Sequence, residues 1–319
     1  TDHCLKIFLR GVDESGLSGG NKGYVCHIDG TPPVVGSVSI SPSSYTTRQN
    51  PILAWSSVSD KHLKCVQDQV NGNGYTDIGG ETATSGTLEL SEDDFPNTGI
   101  YNVQVRAIDK AGNISAVKTV NYYVDQTGPS GMVSMEPEAG KWTETAPAVK
   151  FNNVADADAG MNPAKVQYSI VKEGEKAGSF KNVSDFKLTA STSPYAGSFQ
   201  LLEEDRNLPD GKYTVYVRFQ DNLGNTSTKQ LAYYKDKDKP DGKISFSKSA
   251  ESLSGTVQIT SDMTDGNGSG IKSSSLRVKK ENGTIVETIY DNFTTSSVTR
   301  AFDTTNLKNG KYNAELTIE

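Results

Sequence analysis

The phrase Gly99-Ile-Tyr-Asn-Val-Gln-Val-Arg-Ala-Ile-Asp-Lys-Ala-Gly-Asn113 returns as Gly211-Lys-Tyr-Thr-Val-Tyr-Val-Arg-Phe-Gln-Asp-Asn-Leu-Gly-Asn225. A third version opens the chain at Leu5-Lys-Ile-Phe-Leu-Arg10, and a fourth begins at Gly310-Lys-Tyr312. Self-similarity at a regular spacing means an array of like units, each building its own small core. Arg10, Arg106 and Arg218 hold equivalent places, which sets a unit of about 100 residues, the size of a small two-sheet β-sandwich.

Inside the phrase, Tyr101, Val103 and Val105 alternate with polar residues, as do Tyr213, Val215 and Val217. A period of two predicts strands with one buried face. A turn of the form Asp-x-x-Gly follows three of these strands, at Asp13, Asp109 and Asp221, with Asn next in the latter two. There the Asp side chain can accept backbone N–H bonds, while Gly112 and Gly224 can take positive φ. Each second strand then ends in an Asp and a Pro-bearing junction: Asp29 to Pro33, Asp125 to Pro129, and Asp236 to Pro240. Proline cannot continue a ladder, so these mark boundaries. The expected division is 1–30 as the last two strands of one module, 31–127 and 128–239 as whole modules, and 240–319 as a module without its last strand. No segment carries a sustained helical period, so the predicted class is all-β.

Hydrophobic residues make up 34% of the 319, too few for one large core but enough for several thin ones. The net charge of −7, with Lys and Arg scattered singly, lacks the basic stripe that nucleic acid requires. No apolar run is long enough to span a bilayer as a helix.

The phrase, the closing Asp with its Pro junction, Trp142-Thr-Glu-Thr-Ala-Pro-Ala-Val149 and Gly268-Ser-Gly-Ile271 resemble the bacterial Ig-like repeats of large surface and secreted proteins. The resemblance covers essentially the whole chain. It implies tandem immunoglobulin-like β-sandwiches in an elongated array, an extracellular or cell-surface location, and a place inside a longer polypeptide. It also implies that Tyr101, Tyr213 and Tyr312 are tyrosine corners, bonding back to backbone just upstream. The second module departs from the pattern, carrying Lys61-His-Leu-Lys64 where the others have Gly-rich loops.

No nucleophile–base pair or phosphate loop is legible, and the chain reads as non-enzymatic. His3, His27 and His62 fall in different elements and lack the further ligand that zinc would need. Glu92-Asp93-Asp94 and Glu203-Glu204-Asp205 read as solvated acidic turns. Calcium is the one cofactor weighed: Asp156 and Asp158 at one loop, Asp262 and Asp265 at the matching loop, and the junction acids Asp236 and Asp238. Carboxylates alternating with Asn and Gly can supply several of the oxygens Ca²⁺ wants, although such residues also populate turns for backbone reasons. A turn-centred alignment sets Cys4 almost opposite Cys26, within reach of a disulfide and implying an oxidising compartment. Alternation puts Cys4 out of phase with Leu5, Ile7 and Leu9, so both readings stand. Trp55 aligns with Phe151 as core, and Trp142 either covers a sandwich end or offers a glycan platform.

The function these features predict is a structural stalk or spacer. The competing class is an adhesion module that binds a host protein or glycan through end loops. A spare hairpin at the front and a missing last strand at the back also raise head-to-tail self-association by strand addition.

Overall fold

The computed structural model describes residues 3–183 and 186–319. It divides into two compact units. Unit 1 is Thr1–Gly128 with the loops Asp156–Gly160 and Asp221–Asn225; unit 2 is Pro129–Ala155, Met161–Gln220 and Thr226–Glu319. The two loops belong, by sequence, to the stretch expected as the 128–239 module, yet they pack within unit 1.

Unit 1 opens with an antiparallel hairpin of β1 (His3–Leu9) and β2 (Lys22–Ile28). The strands that follow are β3 (Ser37–Ser41), β4 (Ile52–Ser56), β5 (Leu63–Val70), β6 (Thr76–Gly79), β7 (Gly86–Glu89), β8 (Gly99–Asp109) and β9 (Lys118–Val124). They form two sheets, ordered β3-β4-β7 and β6-β5-β8-β9. Alternation along β8 sends Tyr101, Val103, Val105 and Ala107 into a core with Leu53, Trp55, Val66, Phe95 and Tyr122. Each of the valine, leucine and phenylalanine side chains among them contributes about 1.5–3 kcal/mol on burial.

Unit 2 holds two more sandwiches. The first contains β10 (Ser130–Glu136), β11 (Trp142–Thr143), β12 (Ala148–Ala155), β13 (Gln167–Lys172), β14 (Lys181–Asn182), β15 (Lys187–Ala190), β16 (Tyr195–Gln200), β17 (Gly211–Gln220) and β18 (Thr226–Lys235). Its sheets run β10-β12-β16-β15 and β11-β18-β17-β13-β14. The last sandwich has β19 (Asp241–Phe246), β20 (Thr256–Thr264), β21 (Ser274–Lys280), β22 (Ile285–Phe293), β23 (Ser297–Asp303) and β24 (Tyr312–Ile318), ordered β19-β20-β23 and β22-β21-β24. The class is all-β with immunoglobulin-like sandwiches; the exceptions among the described residues are α1 (Glu203–Arg206), a single turn, and short 3-10 helices at Glu92–Asp94 and Pro163–Lys165.

The repeated strand differs in how well it is covered. β8 and β17 lie between two neighbours, and their inward residues are buried. β24 pairs with β21 alone among the described residues, and Tyr312, Ala314, Leu316 and Ile318 are half-buried. In the hairpin, Leu5, Ile7 and Leu9 share a face with Cys26 and Tyr24, and all of these are exposed.

Of the two readings of Cys4 and Cys26, the structure has the unbridged one. Cys4 pairs with His27 and Cys26 with Leu5, so a one-residue offset turns the thiols to opposite faces of the pleat, and both are free. Cys65 is also free, buried in β5.

Candidate functional site: acid clusters at the strand ends

The Asp-x-x-Gly-Asn turn places its acid at the end of the repeated strand, where both carboxylate oxygens are used. Asp109 accepts from Asn113 N at 2.8 Å and from Asn113 Nδ2 at 2.7 Å. Asp221 does the same with Asn225, at 2.8 and 2.7 Å, and also accepts from Leu223 N and Gly224 N. Gly112 and Gly224 adopt φ of 93° and 101°, a region in which a side chain is strained. The Asn amide has a further proton, and it goes to the preceding closing acid: Asn113 to the Asp29 carbonyl and Asn225 to the Asp125 carbonyl, both at 3.1 Å. The turn read from sequence as local is therefore a clamp on the strand end before it.

The closing acids are held from a second side as well. The Asp125 carboxylate accepts from Thr127 N in its own turn and, at 3.0 Å, from Ala159 N. Asp236 accepts from Ser269 N at 2.9 Å. Asp29 Oδ2 lies 3.1 Å from His62 Nδ1, so the odd Lys61-His-Leu-Lys64 segment supplies a side chain where the other copies use backbone.

These contacts gather three carboxylates twice. Asp29, Asp60 and Asp109 form one cluster; Asp125, Asp156 and Asp221 form the other, each acid offering an oxygen within 4.8 Å of the rest. Asp109 and Asp125 are fully buried, and Asp221 nearly so. In the second cluster, burial and the charges of Asp125 and Asp221 push the Asp156 carboxyl above the usual carboxylate range, against the N–H bonds it accepts from Asp158 and Gly160. The chemistry is that of a hard-oxygen site with negative charge to spare.

The sequence-derived calcium residues separate on this geometry. Asp156 is in a cluster. Asp158 is hydrogen-bonded to the Tyr45 hydroxyl, and that bond, with burial, raises Tyr45 to about 12. Asp262 sits within β20, accepting from Ser297 Oγ at 2.7 Å, with Lys243 3.9 Å away. Asp265 is the acid that faces Asp236: both carboxylates crowd Gly268, and Asp265 Oδ2 accepts from Gly270 N. Asp238 donates its backbone N–H to Asp210. Sequence reading missed Asp125 and Asp221 as partners of Asp156, although both had been noted as recurrent; the missing signal was that ends of different strands converge.

The three corner tyrosines each bond the carbonyl four residues upstream. Tyr101 reaches Asn97 at 2.8 Å, Tyr213 reaches Pro209 at 2.7 Å, and Tyr312 reaches Lys308 at 2.9 Å. The acidic turn of the second sandwich is not solvated as expected: Asp205 is buried, accepting from Tyr168 Oη at 2.5 Å and from Lys181 Nζ at 2.8 Å.

Residues 75–126 match the family model of the bacterial Ig-like domain, which bears out the resemblance over β6 to β9 and the closing Asp125. No curated protein matches the chain. Similar solved structures include a tetra-tandem repeat in the extending region of a large adhesion protein (14% identity, covering 99% of this chain and 81% of that one, TM-score 0.32). A Ca²⁺-stabilized adhesin of an Antarctic bacterium is also similar (14%, 99% and 80%, 0.35), as is a 1.5-MDa bacterial ice-binding adhesin (14%, 86% and 88%, 0.37). The similarity is one of fold. The family match itself is confined to residues 75–126, which are similar to a bacterial Ig-like domain. Among the described residues, no helix is long and apolar enough to cross a membrane.

Proposed function

We propose that this chain is a non-catalytic spacer within a large bacterial surface or secreted protein, its modules divided at residues 30, 127 and 239. The observation that carries the reading is the repeated clamp. Each closing acid accepts a bond from a loop of the next module, His62, Ala159 or Ser269, and two of them also accept from the next module's Asn. Such bonds restrict bending at each junction, so reach grows with the number of modules. The exposed apolar face of β1 and β2 corresponds to the buried face of β8 and β9, which supports assigning the hairpin to a further module of a longer polypeptide.

X-ray scattering tests the spacer directly. A compact globule of this length would have a radius of gyration of about 20 Å. A value well above that is expected, and one close to it would overturn the spacer.

Within this reading, Asp125, Asp156 and Asp221 would hold a calcium ion. Three carboxylates supply part of the six to eight oxygens Ca²⁺ takes, and the cation offsets their mutual repulsion. Millimolar Ca²⁺ should raise the melting temperature of the chain, and Asp156→Ala should remove most of that rise. An identical melting curve in calcium and in chelator would rule the ion out.

A further inference from the structure

The second module of the pair does something different at an equivalent place. In unit 1, Tyr45 packs against Tyr123 with the rings tilted and their centroids 5.3 Å apart, and its hydroxyl is taken up by Asp158. In unit 2 the corresponding aromatic is Trp142. It lies beside β18 as Tyr45 lies beside β9, and its ring sits 5.4 Å from Tyr234. The residue before the clamping N–H, Asp158 before Ala159, is here Gly268 before Ser269, and this glycine has no side chain to offer; Asn267 precedes it. Instead of closing on each other, Trp142 and Asn267 line a cleft of about 580 Å³.

We propose that this cleft binds a neutral sugar ring, with Trp142 as its aromatic wall. Trp142 is half-buried, so its indole is held in place while part of it stays accessible. Leu208 and Ile170 extend the apolar lining. The charged groups of the lining are Asp205 and Asp210 against Lys172 and Lys212, which cancel and leave no net attraction for an ion. A pyranose matches this mixture: its C–H face packs on an aromatic ring while its hydroxyls exchange hydrogen bonds with amide, carboxylate and ammonium groups. The volume lies within the range of small-molecule sites. The proposal goes beyond the spacer reading and rests in part on it, since Asn267 reaches the cleft from the loop whose Ser269 N–H holds Asp236; scattering reads the spacer and sugar titration reads the cleft, so the two can fail separately.

The test uses the full chain carrying Trp55→Phe, which leaves Trp142 as the one tryptophan reporting. Glucose, galactose, mannose and N-acetylglucosamine are titrated while emission is followed. For at least one sugar we expect a saturable change with a dissociation constant in the millimolar range, and roughly tenfold weaker binding in Asn267→Ala. Saturation-transfer NMR on Trp142→Ala, its fold checked by circular dichroism, should show the sugar signal lost. Absence of saturation for all four sugars up to about 100 mM would overturn the proposal. So would binding that survives Trp142→Ala.

Discussion

The first and second sandwiches place different residues at one core position, and the difference separates a strained site from a satisfied one. In β5 the position is Asp68, opposite Val105; in β13 it is Tyr168, opposite Val217. Each looks towards the third residue of an acidic turn, Asp94 in the first case and Asp205 in the second. Tyr168 donates to Asp205, and Lys181 completes the pair. Asp68 is buried against the charge of Asp94, and that burial pushes its carboxyl above the usual range. One scaffold therefore tolerates both arrangements, because the rest of each core supplies enough apolar burial.

The largest test of this contrast is Asp205→Ala. It leaves the Tyr168 hydroxyl without its acceptor and Lys181 with Glu204 alone, and should cost the second sandwich about 2–3 kcal/mol, less than a fully buried pair because Lys181 reaches solvent. Asp94→Ala should cost the first sandwich nothing measurable. Trp142 and Trp55 are the only tryptophans, one in each sandwich, so single-tryptophan variants read the two denaturation curves separately. Equal losses in both would erase the distinction.

Next in size are the corner tyrosines, where the sandwiches should behave alike. Tyr101→Phe and Tyr213→Phe should each lower stability by about 1 kcal/mol through a lost buried hydrogen bond. Unchanged melting on either would reduce the corner to a packing contact. Gly112→Ala and Gly224→Ala should cost about 1 kcal/mol each, from strain at positive φ; a clear inequality in chemical denaturation would mean that the turns are not equivalent.

The smallest effect concerns pH. The folded pKa of Asp68 is raised, so the folded state binds the extra proton between about pH 4, the unfolded value, and that raised value. Stability of the first sandwich should fall as pH rises through that window, and the penalty is complete above it. Asp68→Asn should flatten the fall and gain a fraction of 1 kcal/mol at neutral pH. A variant with the same pH slope as the parent would clear Asp68 of responsibility.

What the sequence disclosed follows the range of each interaction. Alternation in β8 and β17, the Gly turns and the corner tyrosines span a few residues, and were legible because local geometry dictates them. The partnership of Asp125 with Asp156 and Asp221 joins acids far apart in the chain, and only the packing of loops brings them together. The Cys4–Cys26 alignment failed by one residue, enough in a pleated strand to reverse a side chain. Asp205 was misread because a run of three acids looks solvated until Tyr168 and Lys181 are seen above it.

The clamp at the closing acids has a consequence for how such chains change over generations. Donor and acceptor types recur between copies: Asp29 and Asp125 each hold an Asn amide through their carbonyl, and Asp125 and Asp236 each hold a loop N–H through their carboxylate. Unequal recombination that removes or duplicates one whole copy joins an old acceptor to an equivalent donor and orphans no buried carboxylate. His62 marks a joint whose donor is a side chain, and a copy moved there would bring a backbone N–H in its place.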